Sequence, residues 1–286
     1  MNSIKDYLPD LVDRLARVSQ TPSLDAQVLL AHVMRRTRTW VLAHPEAVLS
    51  ALETASITDA ISRLEQGEPL PYVLGEWEFY GLLFQISPAV LIPRPETEML
   101  VDRALKWLRT YTGPHFAADI GTGSGCIAVA LAKHQADLRV TASDISSAAL
   151  KIAQANIKQH KLETQIECIQ SDLIPPVTAR FNLICANLPY IPAKTLKRLK
   201  VLRWEPDLAL RGGVEGLELI RSLVAQSPQY LAANSLLLME IEARQGQAAF
   251  SLVSEAFPGA RIEVLPDLAG HDRLLTVEIS TGSPKE

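Results

Sequence analysis

From residue 115 onward the chain alternates short apolar runs with amphipathic segments, and this alternation narrows the choice of fold more than any other feature. The strand-like runs fall at 116–120, 139–143, 165–170, 181–186, 235–241, 260–265 and 273–279, and helical segments at 127–134, 147–160, 217–231 and 245–257 separate most of them. A strand reached by crossing back over a helix lies parallel to its predecessor, so the pattern predicts an α/β fold with a doubly wound, mostly parallel sheet. The loop 267–272 is too short for such a crossover. The last strand should therefore run antiparallel.

Residues 3–70 carry helical signals only. Leu8, Leu11, Val12, Leu15 and Val18 recur at spacings of three and four, and Thr21-Pro22 reads as an N-cap with proline at the first helical position, opening the apolar face Val28, Leu29, Ala31 and His32. Further helices are expected at 45–54 and at 58–65, the latter stopped by Gly67. His32 should be a core histidine, since no second ligand has metal spacing to it. Between 72 and 92 the chain turns aromatic, with Tyr72, Trp77, Phe79, Tyr80 and Phe84 around Gly75 and Gly81, which predicts a hairpin.

With 48% hydrophobic and 21% charged residues and a formal net charge of −4, the chain is globular and offers no overall attraction to nucleic acid. Cys126, Cys168 and Cys185 lack CxxC spacing and read as buried thiols of a reducing compartment. The segment Met1-Asn2-Ser3-Ile4-Lys5-Asp6 has no apolar core, and no run reaches the ~18 apolar residues of a membrane span, so the expectation is a cytoplasmic protein without a membrane partner.

Asp119-Ile120-Gly121-Thr122-Gly123-Ser124-Gly125 places a glycine turn at the carboxyl end of the first parallel strand, where such sheets bind nucleotide-like ligands. The dinucleotide fingerprint G-x-G-x-x-G fails, because Cys126 stands where its third glycine belongs. A carboxylate at Asp119 repels a pyrophosphate and suits the ammonium of a methionine moiety. Asp144 ends the second strand, where an acid either accepts both ribose hydroxyls or caps the next helix. Asp172 and Leu173 follow the third strand, at an adenine-edge contact or an ordinary turn. Together these residues favour S-adenosyl-L-methionine as the cofactor.

Asn187-Leu188-Pro189-Tyr190 follows the strand 181–186 and suits a planar amino group. The Asn187 side-chain oxygen and the carbonyl of Leu188 can accept its two N–H bonds while the Tyr190 ring covers its flat face. Asn187, Leu188, Pro189 and Tyr190 are thus the candidate catalytic and substrate-binding residues. A basic run, Lys194, Lys197, Arg198, Lys200 and Arg203, follows as a solvated helix face or a partner contact.

At this point the chain resembles the release factor glutamine methyltransferases, the PrmC/HemK-like family. The resemblance rests on Pro71-Tyr72-Val73-Leu74-Gly75, Phe79-Tyr80-Gly81, Ile92-Pro93-Arg94-Pro95-Glu96-Thr97-Glu98, the glycine loop, the tetrapeptide, Glu205-Pro206, and Gly212-Gly213-Val214-Glu215-Gly216-Leu217. It implies a class I S-adenosylmethionine-dependent methyltransferase (Rossmann-like) domain over 93–286, a hairpin linker over 73–92 and a helical substrate-recognition domain over 1–72. It also implies that Arg94, Glu96 and Thr97 border the cofactor, unless Arg94 and Glu96 only cap the helix that follows. The implied activity is methylation of the glutamine side-chain amide in the Gly-Gly-Gln motif of class I peptide chain release factors, by a monomer with no stable nucleic-acid partner. The family pattern is Asn-Pro-Pro-Tyr and Leu188 replaces its first proline. Enzymes that dimethylate adenine in ribosomal RNA carry Asn-Leu-Pro-Tyr, so the alternative is exocyclic-amino methylation of adenine in RNA or DNA.

Overall fold

The computed structural model describes residues 3–110, 115–178, 180–196 and 200–280, which form two compact units, Met1–Glu76 and Trp77–Glu286. In the first unit, α1 (Ile4–Leu15), α2 (Pro22–Val33), α3 (Arg38–Ala43), α4 (Ala51–Glu65) and α5 (Leu70–Leu74) enclose a core of Leu11, Leu15, Leu29, Leu30, Ile57, Ile61 and Leu64. Of the two helices expected at 45–54 and 58–65, residues 45–50 are turn and bridge, and residues 51–65 form one helix, α4. Its start is set by a capping box, in which the Glu53 N–H donates to Ser50 Oγ while the Ser50 N–H donates to Glu53 Oε2, and no breaker interrupts the turns that follow. Helix α3, capped by Thr37 accepting the Trp40 N–H, was not foreseen. Tyr72 and Val73 are helical rather than extended, because Pro71 lies in the first turn of α5 and Gly75 closes it in the left-handed region at φ +74°. Val18 lies beyond the end of α1 and is 46% exposed. His32 is not a core residue: it is half-exposed and its Nδ1 lies 2.9 Å from Glu76 Oε1.

The second unit opens with the hairpin β1 (Glu76–Phe79) and β2 (Leu82–Gln85), turned by Tyr80 and Gly81, both at positive φ. Tyr80 is anchored to α6 (Glu98–Leu108): its N–H donates to Glu98 at 2.8 Å and its hydroxyl to Asp102 at 2.6 Å. Then come β3 (Phe116–Ile120), α7 (Cys126–His134), β4 (Arg139–Asp144), α8 (Ser147–Gln159), β5 (Ile166–Gln170), β6 (Phe181–Ala186) and α9 (Ala193–Leu196). The chain continues as α10 (Glu218–Gln226), β7 (Leu231–Glu240), α11 (Gly246–Ala256), β8 (Arg261–Pro266) and β9 (Asp272–Ile279).

These strands form a seven-stranded sheet in the order β5-β4-β3-β6-β7-β9-β8. Strand β9 runs antiparallel to both neighbours and the other pairs are parallel. The expected α/β fold with its antiparallel last strand is therefore present. Strand β6 is buried at all six positions, which explains why it is apolar apart from Asn182. The order reverses direction between β3 and β6. That crevice, outside the carboxyl ends of the strands, is where ligands bind in such sheets.

Asn156, on α8 and fully buried, ties the hairpin to the glycine loop. Its Oδ1 accepts the Gln85 N–H at 2.7 Å, and its Nδ2 donates to the carbonyls of Gln85 at 2.9 Å and Ser124 at 2.8 Å. Asn156→Ala strips three backbone groups of their partner and should lower the unfolding free energy by about 2–4 kcal/mol. The urea midpoint measures this, and an unchanged midpoint would show that solvent replaces the amide.

Candidate active site

The site is built on the carboxyl ends of β3, β4 and β6. Beyond β3 the N–H groups of Gly121 and Thr122 both donate to the Ser143 carbonyl at 2.9 Å, which ties the loop to β4. Gly121, Gly123 and Gly125 lie at φ +72°, +55° and +79°, which makes three glycines in five residues a backbone requirement. Gly125 has a second reason: a Cβ there would come within 3.3 Å of the Ala153 backbone, where α7 begins against α8.

Asp119 sits beneath this loop at 0% exposure and does not line the cavity. One oxygen accepts the Thr122 hydroxyl at 2.6 Å and the Ala128 N–H at 3.2 Å, and the other, Oδ1, has no partner among the described residues. Burial pushes its pKa up to about 6 against the pull of these two donors.

A single cavity of about 320 Å³ is lined by Arg94, Thr97, Gly121, Thr122, Gly123, Ser124, Asp144, Asp172, Leu173, Asn187, Leu188 and Pro189. Gly125, Glu96 and Tyr190 are not among its walls, and Glu96 is exposed. Asp144 is half-buried. Its oxygens accept the Gly123 N–H at 2.9 Å and the Ser146 N–H at 2.8 Å, while the cap of α8 is Ser146, which accepts the Ala149 N–H. Leu173 stands at φ +63°, uncommon for a branched side chain, and its carbonyl accepts the Ser143 hydroxyl at 3.0 Å. Ile145 is 49% exposed on the cavity wall.

The tetrapeptide leaves β6 beside the glycine loop. Asn187 Nδ2 donates to Thr97 Oγ1 at 3.0 Å, and the Thr97 hydroxyl donates to Glu240 Oε2 at 2.7 Å. Glu240 Oε1 accepts the Tyr190 hydroxyl at 3.3 Å, and burial beside that carboxylate raises the tyrosine pKa. Leu188 is buried, and a Cβ on Gly121 would come within 2.9 Å of its Cδ2. Position 188 therefore also works through its side chain, which fills the space that Gly121 leaves.

The segment 211–216 clasps the tetrapeptide. Ile191 and Arg211 pair as a parallel bridge, and a Cβ on Gly212 would lie 2.6 Å from the Tyr190 backbone. Gln245 Nε2 donates to the carbonyls of Tyr190 and Gly216, both at 3.1 Å. Arg94 occupies the N-cap of the short 3-10 turn Pro95–Thr97, its carbonyl accepting the Thr97 N–H, but its side chain makes no capping bond: its Nη2 donates to both oxygens of Glu205, at 2.6 and 2.7 Å. Burial raises the pKa of Glu205 and Arg94 opposes the rise. In the basic run Lys194 and Arg203 are exposed, whereas Lys197 and Arg198 lie outside the described residues.

The sequence reading passed over Glu240, Gln245 and Asn156. Glu240 had a usable signal, an acid closing the apolar run 236–239, the same placement that singled out Asp144. Gln245 and Asn156 had none, since neither amide belongs to a recognisable spacing. Among the described residues no helix is long and apolar enough to cross a membrane.

Known proteins resemble the chain over both of its units. The family model for the PrmC N-terminal domain matches residues 7–75, and that for the methyltransferase small domain matches residues 100–202. The release factor glutamine methyltransferase of Moorella thermoacetica is 39% identical over 277 residues, covering 95% of this chain and 96% of its own. That of Coxiella burnetii is 37% identical, covering 96% and 98%. A methyltransferase of Pyrococcus furiosus, 15% identical, covers 81% of this chain and 100% of its own at a TM-score of 0.52 and so shares the fold. The relatives do not favour the adenine-directed alternative. The chain belongs to the release factor glutamine methyltransferase family.

Proposed function

We propose that this protein transfers a methyl group from S-adenosyl-L-methionine to the side-chain amide nitrogen of the glutamine in the Gly-Gly-Gln motif of class I peptide chain release factors. The observation that carries this reading is that Asn187, Leu188 and Pro189 share one cavity with Gly121, Gly123 and Asp144. An amide-binding tetrapeptide and a nucleotide loop thus face the same space.

The cavity fits that cofactor. Each Asp144 oxygen accepts one backbone N–H and keeps a lone pair for one of two neighbouring ribose hydroxyls. Leu173 and Ile145 offer apolar surface to a base, with Asp172 at its edge. The unpartnered Oδ1 of Asp119 calls for a donor, which suits a region receiving an ammonium or its bound water. A pyrophosphate would meet these acids unfavourably. When bound, S-adenosyl-L-methionine supplies an electrophilic methyl group on a positively charged sulfur.

An amide nitrogen is a poor nucleophile, because its lone pair is held in the resonance that gives peptide bonds a barrier of ~18–20 kcal/mol. Asn187 Oδ1 and the Leu188 carbonyl accept the two glutamine N–H bonds. Both contacts strengthen as the nitrogen gains positive charge, so they act on the transition state more than on the bound substrate. Tyr190, tethered through its hydroxyl and its carbonyl, covers the flat face of the amide. Alignment of the nitrogen with the methyl group contributes up to ~7–11 kcal/mol in well-oriented reactions. The helical unit, 1–72, lacks clustered acids, bases or a glycine loop, and serves to recognise the protein substrate. A cytoplasmic monomer is the working form that suits this role.

Incubation with isotopically labelled cofactor and a purified release factor, followed by peptide mass spectrometry, tests the reading. Label on the Gly-Gly-Gln glutamine supports it, and label on adenine in a ribosomal RNA fragment instead would overturn it. Asp144→Ala should weaken cofactor binding by about 1.5–3 kcal/mol in calorimetry; unchanged affinity would move the ribose contact elsewhere. Asn187→Ala should slow single-turnover transfer by about 100-fold or more while cofactor affinity changes far less. Transfer at the wild-type rate would remove Asn187 from the mechanism.

A further inference from the structure

We propose that Glu240 is a positioning residue for methyl transfer, which through Thr97 determines which end of the Asn187 carboxamide faces the substrate; this rests on the glutamine-methyltransferase reading above. Glu240 is the last residue of β7, one step beyond Met239, which pairs with Ala186 at the end of β6. Its carboxylate therefore lies beside the point where Asn187 leaves the sheet. Both Glu240 and Thr97 are buried, at 3% and 2% exposure.

Hydrogen-bond chemistry gives this relay one direction. A carboxylate only accepts, so across the 2.7 Å contact the proton belongs to Thr97. With its one proton committed, the Thr97 oxygen can only accept from Asn187, which must then present Nδ2 at 3.0 Å. The Asn187 oxygen is left pointing away from Thr97, available to a substrate N–H. Shape alone does not make that choice, because the two ends of a carboxamide are nearly identical in size. The flipped amide would offer N–H groups to a substrate nitrogen that is itself a donor, and transfer would lose an acceptor.

The second Glu240 oxygen accepts the Tyr190 hydroxyl, so one carboxylate serves both ends of the tetrapeptide. Burial raises the Glu240 pKa, while the Thr97 hydroxyl, Arg273 and the Tyr190 hydroxyl oppose the rise; Glu96 adds to it. Arg273 extends from β9, with its own close bonds to Asp267. Asn187 and Tyr190 are candidates from the tetrapeptide and Thr97 from the family resemblance, whereas nothing in the sequence analysis singled out Glu240. The structure alone brings residues 97, 187, 190 and 240 together.

The test uses the full chain as wild type, Thr97→Ser, Thr97→Val and Glu240→Gln, with a purified class I release factor. Thr97→Val and Glu240→Gln should lower the maximal rate by about tenfold or more while KM and cofactor affinity stay within about threefold, the signature of an interaction felt mainly in the transition state. Thr97→Ser, which keeps the hydroxyl, should recover the rate to within about threefold of wild type. Wild-type rates in both Thr97→Val and Glu240→Gln would overturn the proposal, as would parallel losses of rate and cofactor affinity.

A second readout does not depend on turnover. Nuclear magnetic resonance should find one Asn187 Nδ2 proton protected from solvent exchange in wild type and Thr97→Ser, and unprotected in Thr97→Val. Equal exchange in all three overturns the relay. Should Glu240→Gln fail to fold, the two Thr97 variants decide. A wild type that shows this protection yet labels no glutamine refutes the functional reading and leaves the relay standing.

Discussion

The parallel pairing of β3 with β6 is the contact on which the site depends. These strands are far apart in sequence, yet Ile120 lies opposite Ala186, so their two exit loops begin at the same height on the sheet. A glycine loop leaves one strand and Asn187 leaves the other. Leu188 then fills the space that Gly121 leaves for want of a side chain, so the glycine loop and the tetrapeptide are packed on one another. A slip of two residues would keep every side chain on its face of the sheet and still move the loops apart by about 6–7 Å, more than a reacting centre can absorb. Register is held by burial. All six residues of β6 are inside, and a shift would drag Asn187 into the core or Asn182 along it.

Around that pairing the protein buries acids where most proteins bury hydrocarbon. Asp119, Glu205 and Glu240 are each at most 3% exposed, and a buried carboxylate is costly unless it is bonded. Each is answered differently. Glu205 receives Arg94, Glu240 receives two hydroxyls, and Asp119 receives a hydroxyl and one N–H but keeps an oxygen unpartnered. The remaining debt at Asp119 lies directly under the glycine loop. The fully paired acids hold the protein's own segments together, whereas Asp119 keeps one oxygen without a partner among the described residues, sealed beneath the loop.

Legibility in the sequence followed how local each signal was. The strand and helix alternation was readable because burial on two faces or on one face imposes its period over many consecutive residues. Asn187 to Tyr190 and the glycine loop were readable because their chemistry lies in neighbouring residues. The capping box of α4 was equally local, but Ser50 and Glu53 fell inside a segment already divided in two, so one helix was read as two. Glu96 was carried along by its neighbours in the Pro-Arg-Pro-Glu-Thr-Glu stretch, yet it is exposed and off the cavity wall. Thr97, next to it, faces Asn187 instead. Partners 50 to 143 residues apart, as in Glu240 with Tyr190 and with Thr97, are set by the closing of the sheet. No pattern within either segment announces them.

The placing of β9 has a consequence for how the enzyme comes into being. This strand, the last among the described residues, is inserted between β7 and β8 and pairs with both over its length. Until residues 272–279 have left the ribosome, β7 has a bare edge, and Arg273 is absent from beside the Glu240 carboxylate. A nascent chain can assemble the glycine loop early, from contiguous β3, α7 and β4. The part of the site that holds Asn187 and Glu240 must wait for β9 to thread into the gap, a non-local pairing that forms slowly. Synthesis and activation are thereby linked: competence arrives only once residues 272–279 have been made and have paired.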